Sequence, residues 1–184
     1  VRRRAGRGDQ VVRSGESADA LLILLTGRAK VTNFDEEGRE IILAWLGPGE
    51  FFGEMGLIDG SARSASVVAV ENCELLAIGK QEFQRCMQDN FQVAQKLMQI
   101  LVRRLREADR NIESLALLDV YGRVARLLLD LSEEEDGKRL VKKKISKQDM
   151  ARMIGASREM VSKVMRDLEI GGYIVTNGDQ ITIT

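Results

Sequence analysis

The sequence predicts an α+β chain: an antiparallel β-roll, a long helix and a C-terminal winged helix-turn-helix. Three observations lead there. The first third breaks into short β-branched, leucine-rich and aromatic runs separated by closely spaced turn signals. From residue 91 apolar side chains recur at alternating spacings of four and three. Near the C-terminus two short helical patterns flank Gly155, and a hairpin pattern follows them.

Residues 21–25, 29–34, 40–46, 65–70 and 74–78 read as strands. Gly15, Gly27, Gly38, Gly47-Pro48-Gly49 and Asn72 punctuate them, and Asp35-Glu36-Glu37-Gly38 has the composition of a hairpin tip. Strands this short, with turns this close, suit a sandwich or roll and not a parallel sheet. Residues 81–88 then form a short helix and residues 91–117 a long one. On the long helix Ala94, Met98, Leu101, Leu105, Ala108, Ile112 and Leu115 make a heptad seam, while Arg103, Arg104, Arg106, Glu107, Asp109 and Arg110 occupy its other faces. Such a stripe must be covered. The roll itself is one candidate cover, but the strict alternation favours a parallel homodimer. Asp119 is placed to cap a helix over 120–131, which the acidic run 133–136 and Gly137 close. Helices over 147–154 and 157–170 follow, joined at Gly155-Ala156 and ended by Gly171-Gly172. Residues 173–176 and 180–184 pair across Asn177-Gly178. The chain divides at the break near 117–118: a first domain over 1–116, with its pairing helix at about 91–116, and a second over 117–184.

Composition excludes whole classes of function. Among 184 residues there are 28 basic and 28 acidic side chains and no histidine, and the apolar share of 44% is ample for packed cores. Without histidine, a Ser-His-Asp triad, a Cys-His dyad, a histidine-ligated zinc and a histidine-bound haem cannot be built from one chain. Cys73 and Cys86 are too few for a four-cysteine iron–sulfur cluster or a disulfide framework. No metal is expected, and the remaining acids and bases show no paired arrangement that would make an enzyme. No run approaches the roughly 20 apolar residues of a membrane helix, so no membrane partner is expected and a soluble, reducing setting is the default. No signal peptide is seen, and the chain opens on Val1 rather than methionine, which suggests that its natural N-terminus lies upstream.

A net charge of zero would argue against a nucleic-acid partner, but it conceals a local surplus. Lys138, Arg139, Lys142, Lys143, Lys144, Lys147, Arg152, Arg158, Lys163 and Arg166 face only Asp149 and Glu159, and the acidic run just upstream masks them. A solvated charged face would show the same count, so the motif inside it decides. Ser146 caps the first helix, Met150, Ala151 and Ile154 face inward, Gly155 supplies the left-handed turn and Ser157 caps the second helix. Val161, Val164 and Leu168 bury one face of that helix; Arg158, Glu159, Ser162, Lys163 and Arg166 occupy the other. This is a base-reading set. Arg158 can fork onto guanine O6 and N7, Glu159 can accept from cytosine N4, and Lys163 can donate to guanine. Lys147 suits a phosphate. Double-stranded DNA is the expected partner, with protein contacts the alternative use of a winged helix.

The second informative stretch is 52–66. Gly53 lets the backbone approach a ligand closely, and the amides after Glu54 can open a short helical turn. Arg63 offers a planar bidentate partner for a phosphate, and Ser64 adds a hydroxyl. Glu54 beside an anion site makes sense as an acceptor from sugar hydroxyls. Together these parts describe a ribose carrying one phosphate. The alternative is an ordinary roll corner in which Glu54 and Arg63 pair with each other.

With these residues in view, the chain resembles the cyclic-AMP receptor protein (catabolite activator) family of bacterial transcription regulators, cousins of the fumarate–nitrate regulators. The likeness runs over nearly the whole chain: Ser14-Gly15-Glu16, Gly27, the 52–66 cassette, Arg103-Arg104-Leu105, residues 115–120 and Ser157-Arg158-Glu159. It implies that Gly53, Glu54, Arg63 and Ser64 hold the ribose and cyclic phosphate. It implies that Ser157, Arg158, Glu159 and Lys163 face DNA, with Ser146 and Gln148 on phosphates. It further implies a cytoplasmic homodimer on a palindromic operator with TGTGA-like half-sites, and RNA polymerase as another partner. The chain departs from the family in three places. Val1-Arg2-Arg3-Arg4 is shorter and more basic than the family's N-terminal helix, Lys163 stands where arginine is usual, and Ala108-Asp109 replaces the Thr-Ser pair expected for cyclic AMP.

The cassette favours cyclic AMP as the effector. Ala108 and Asp109, which the resemblance places over the base, keep a guanine nucleotide in competition, because an ionised aspartate can accept from guanine N1–H and N2–H together. Asp109 can instead pair with Arg106 or Arg110 on the helix surface. Two further readings stay open: a regulator of this fold that needs no ligand, and one that senses cyclic di-GMP.

Overall fold

The computed structural model describes residues 1–142, 145–178 and 180–184; Lys143 and Lys144, two of the basic residues counted above, lie outside the described residues, as does Asp179. Two compact units emerge, Val1–Val102 and Arg103–Thr184, and the division falls within one long helix.

In the first unit the order is β1 (Arg2–Ala5), β2 (Gln10–Val12), β3 (Ala20–Thr26), β4 (Ala29–Phe34), β5 (Glu40–Leu46), β6 (Phe51–Phe52), α1 (Met55–Asp59), β7 (Ser66–Ala69), β8 (Cys73–Gly79) and α2 (Lys80–Asp89), followed by α3 (Phe91–Leu117). The strands form two antiparallel sheets, β1-β8-β3-β6 and β2-β7-β4-β5. Leu22, Leu24, Leu75 and Phe52 from one sheet pack with Ala29, Leu46, Val67 and Ala69 from the other, so the roll closes on a single apolar core. Leu57 of α1 and Phe83 of α2 join Leu21 in a satellite cluster that anchors both short helices to the roll.

Three strands go beyond the sequence prediction. β1 carries Arg2, Arg3 and Arg4 with no apolar alternation, and it is a strand because its backbone pairs with β8 from Arg2↔Leu76 to Ala5↔Cys73. A charged edge strand resists pairing with other chains. β2 and β6 are three and two residues long, too short to leave a period. α3 follows the prediction for residues 91–117, and none of its 27 residues is buried. Met98, Leu105, Ile112 and Leu115 of the seam are all more than half exposed.

The second unit continues with α4 (Val120–Leu131), β9 (Glu133–Glu135), β10 (Lys138–Val141), α5 (Lys147–Ile154), α6 (Arg158–Ile170), β11 (Ile174–Asn177) and β12 (Gln180–Ile183). Asp119 Oδ1 accepts from the Gly122 amide at 2.9 Å and caps α4 as the sequence requires. The three helices and the β11-β12-β10-β9 sheet share a core of Val124, Leu128, Val141, Met150, Val161 and Val164. Two readings need correction. The acidic run does more than close α4: it is strand β9, paired as Glu133↔Leu140, Glu134↔Arg139 and Glu135↔Lys138. Asp136 (φ 49) and Gly137 (φ 73) make its turn, with acids and bases facing each other across the ladder. On α6 the buried residues are Val161, Val164 and Met165, while Leu168 is only half-buried.

Candidate functional site

Two sites stand on this frame, one in each unit. In the first unit, β6 ends at Phe52 and the chain turns at Gly53, whose φ of 82 lies in the left-handed region. A Cβ there would fall 1.9 Å from Arg63 Nη1. Glycine is thus required both by the turn and by the guanidinium packed on it. Arg63 is 7% exposed. Its Nη1 donates to the Gly53 carbonyl at 3.0 Å, and its Nη2 donates to the Ala20 carbonyl at 2.8 Å and to Asp19 Oδ1 at 3.4 Å. Among the described residues, Asp19 is a carboxylate that pairs with Arg63. Glu54 is 3% exposed at the start of α1, and its backbone carbonyl accepts from Leu57 and Ile58. Ser64 is exposed; its hydroxyl contacts Met55 Sδ at 3.6 Å and its carbonyl accepts from Asn33 Nδ2 at 3.1 Å. A cavity of about 330 Å³ opens beside Asp19 and Arg63, walled by Arg3, Val12, Glu16 and Ser17.

The chemistry of Arg63 suits an anion. A guanidinium has five N–H groups, and three bonds account for only three of them. Two backbone carbonyls fix the fork's orientation, and among the described residues Asp19, whose side chain is 74% exposed, pairs with it at 3.4 Å. A charge this buried, with so weak a partner, favours a bound phosphate. Asp19 escaped the sequence reading, because an acid just ahead of a strand carries no local signal of pairing 44 residues away.

In the second unit, Ser146 Oγ accepts from the Asp149 amide at 3.0 Å and donates to Asp149 Oδ2 at 2.8 Å, so its hydroxyl proton is committed to the cap. Lys147 and Gln148 beside it are exposed. Gly155 takes φ 63 and ψ 49, and the Ala156 amide bonds back to Ala151 at 3.0 Å, which ends α5. Ser157 Oγ then accepts from the Met160 amide at 3.1 Å and starts α6. Arg158, Glu159, Lys163 and Arg166 are exposed and Ser162 is half-buried, opposite Val161, Val164 and Met165. The helix-turn-helix grammar is met, and the exposed set is brought onto one face. The charge surplus is redistributed: Lys138 and Arg139 lie across from Glu135 and Glu134, and Lys142 pairs with Glu135 at 3.0 Å. Among the described residues, Lys147 on α5 and Arg158, Lys163 and Arg166 on α6 are exposed cations on the helix-turn-helix.

Ala108 and Asp109 are exposed on α3. Among the described residues Asp109 makes no ion pair, with Arg106 and Arg110 included, whereas Arg103 and Glu107 on the same helix are 3.9 Å apart. Among the described residues no helix is long and apolar enough to cross a membrane.

A β-roll holding a buried, oriented arginine, a long helix with an exposed apolar seam and a winged helix-turn-helix define a ligand-responsive DNA-binding regulator. The comparisons with known proteins agree. Residues 2–90 match the cyclic nucleotide-binding domain family and residues 122–184 the Crp-like helix-turn-helix domain family. The cAMP-activated global transcriptional regulator CRP of Haemophilus influenzae is 36% identical over 180 residues, covering 94% of this chain and 79% of the relative. The cAMP-activated regulator Vfr of Pseudomonas aeruginosa is 35% identical over 189 residues, covering 99% and 88%. Among solved structures, the c-di-GMP responsive global regulator CLP of Xanthomonas campestris superposes with a TM-score of 0.83 at 30% identity, covering 100% of this chain and 93% of that one. The chain belongs to the cyclic-AMP receptor protein family of transcription regulators, and it is not an enzyme.

Proposed function

We propose that this chain is a homodimeric regulator whose affinity for a palindromic operator rises when cyclic AMP binds the roll. It works in the bacterial cytoplasm, with RNA polymerase as a further partner. The sensor spans residues 1–116 and the DNA-binding domain 117–184. The observation that carries the reading is the buried Arg63, oriented by two carbonyls and only weakly neutralised by Asp19. In this account the cyclic phosphate takes the remaining N–H groups of Arg63 and the Ser64 hydroxyl, the Gly53 backbone lies against the ligand, and Glu54 accepts from the ribose. On DNA, Ser157, Arg158, Glu159, Ser162, Lys163 and Arg166 meet the major groove while Lys147, Gln148 and the Ser146 backbone meet phosphates. A two-fold dimer places its half-sites about 34 Å apart.

A second reading concerns the base. Asp109, which makes no ion pair among the described residues, can accept from guanine, so cyclic GMP competes with cyclic AMP for the site proposed at Ala108 and Asp109. Calorimetric titration of cyclic AMP, cyclic GMP and cyclic di-GMP into wild type and Arg63→Leu separates the readings. Two charge-assisted hydrogen bonds at about 1.5–3 kcal/mol each make Arg63→Leu weaker by at least about 100-fold, with the dimer intact. Unchanged binding by Arg63→Leu would move the anion site elsewhere.

A further inference from the structure

We infer that Arg123 is a positioning residue for DNA reading: it sets the pose of α6 by holding the last carbonyl of α5. The inference rests on the proposed use of α6 in the major groove. Arg123 lies in the opening turn of α4, and its Nη1 donates to the Ile154 carbonyl at 2.9 Å. Ile154 is the last residue of α5 and is 6% exposed. Its carbonyl is one of the four that a helix leaves without an intrahelical partner. The amides of Gly155 and Ala156 both turn back to Ala151, so neither reaches Ile154. Arg123 supplies the missing donor, and its positive charge matches the negative end of the α5 dipole. A Cβ on Gly155 would sit 3.9 Å from the same Nη1, which places the guanidinium against the turn itself. Ser157, the cap of α6, follows two residues after Gly155. Holding Ile154 therefore holds the launch of the helix that carries Arg158.

A second observation says that this contact does more than stabilise. Arg123 Nε is buried with no hydrogen-bond partner among the described residues. A buried unpaired N–H is costly. Meanwhile α4, α5 and α6 are already joined through Val124, Leu128, Met150, Ile154, Val161 and Val164. For stability alone an aliphatic side chain would avoid that cost; the donor at Nη1 adds direction, not burial. Directional control matters where α6 must present Arg158 to a base edge, because a bidentate contact fails outside a narrow range of distance and angle. Phosphate contacts from long flexible side chains are far more forgiving.

The test uses the full chain with saturating cyclic AMP. Its probes are the duplex that wild type selects from a randomised palindromic library and a scrambled duplex of equal length. Arg123→Met keeps volume and removes every donor, Arg123→Gln keeps one neutral donor, and Arg123→Lys keeps a charged one. Arg123→Met is expected to lower the selected-to-scrambled affinity ratio about tenfold, with scrambled-site affinity and salt slope unchanged. Gln should lower the ratio about threefold and Lys should restore most of it. Should the Met variant fail to fold, the Gln variant decides at an unchanged melting midpoint. An unchanged ratio overturns the inference. So does an equal loss on both duplexes that tracks a lower midpoint, because that pattern is merely structural. A wild type that does not discriminate between the duplexes overturns the inference and the functional reading together; discriminating wild type with equally discriminating variants overturns the inference alone.

Discussion

Truncating Leu105 to alanine is the sharpest test of how the long helix is used. Leu105 lies midway along the seam of α3 and is 61% exposed in the single chain, so a dimer has most of that side chain still to bury. Burying an exposed leucine fully contributes about 1.5–3 kcal/mol. With 61% of the surface outstanding, each protomer gains about 1–2 kcal/mol, and a two-fold interface counts the residue twice, about 2–4 kcal/mol per dimer. Leu105→Ala should therefore weaken dimerisation by about 30-fold to 1,000-fold. Sedimentation equilibrium over a dilution series reads this directly. Arg106→Ala, on a polar face of the same helix, is the control and should leave the dissociation constant within about twofold, the size of one exposed charge. An unchanged constant for Leu105→Ala, or a monomeric wild type at tens of micromolar, would refute the seam.

The remaining predictions concern DNA, the base and one pH-dependent contact. Arg158→Ala should cost about 1–3 kcal/mol on the cognate operator and relax specificity at one G·C pair, seen by binding titrations on cognate and substituted duplexes. Lys147→Ala should weaken all duplexes alike and reduce the salt slope by about one, read by repeating the titrations at several salt concentrations. Asp109→Ser should raise affinity for cyclic AMP relative to cyclic GMP; an unchanged ratio in calorimetry would mean that the side chain never reads the base. Tyr121 donates its hydroxyl proton to Asp167, and that bond, followed by desolvation, holds the phenol above its ordinary pKa. A raised folded-state pKa means that the stabilisation is fully present below the unfolded value of about 10 and is lost as pH climbs through the folded one. In a Tyr173→Phe background, which leaves Tyr121 as the only tyrosine, Asp167→Asn should shift the ultraviolet ionisation curve to lower pH.

Period and turn chemistry made most of the fold legible. Strands 29–34 and 40–46, the helix over 91–117, the Asp119 cap and the Ser146–Gly155–Ser157 frame are where local pattern and tertiary need agree. What escaped did so for physical reasons. β1 is three arginines and an alanine, and only pairing with β8 makes it a strand, so tertiary contact overrides composition. β9 is three glutamates that read as a helix terminator; the available signal was Asp136-Gly137, whose positive φ values build the hairpin. Among the candidate site residues, the contact between Gly53 and Arg63 and the exposed face of α6 follow residue type and spacing. Asp19 and Arg123 do not, because each works through one long-range hydrogen bond that leaves no trace in the surrounding pattern.

Coupling between the roll and the operator is read most directly by one measurement: wild-type affinity for its selected palindrome, titrated without nucleotide and then with saturating cyclic AMP, cyclic GMP or cyclic di-GMP. Cyclic AMP is expected to tighten binding to the palindrome by tenfold or more, a coupling of about 1.4 kcal/mol at least, while scrambled DNA responds little. Equal operator affinity with and without every nucleotide would contradict that coupling and identify a regulator of this fold that acts without a ligand.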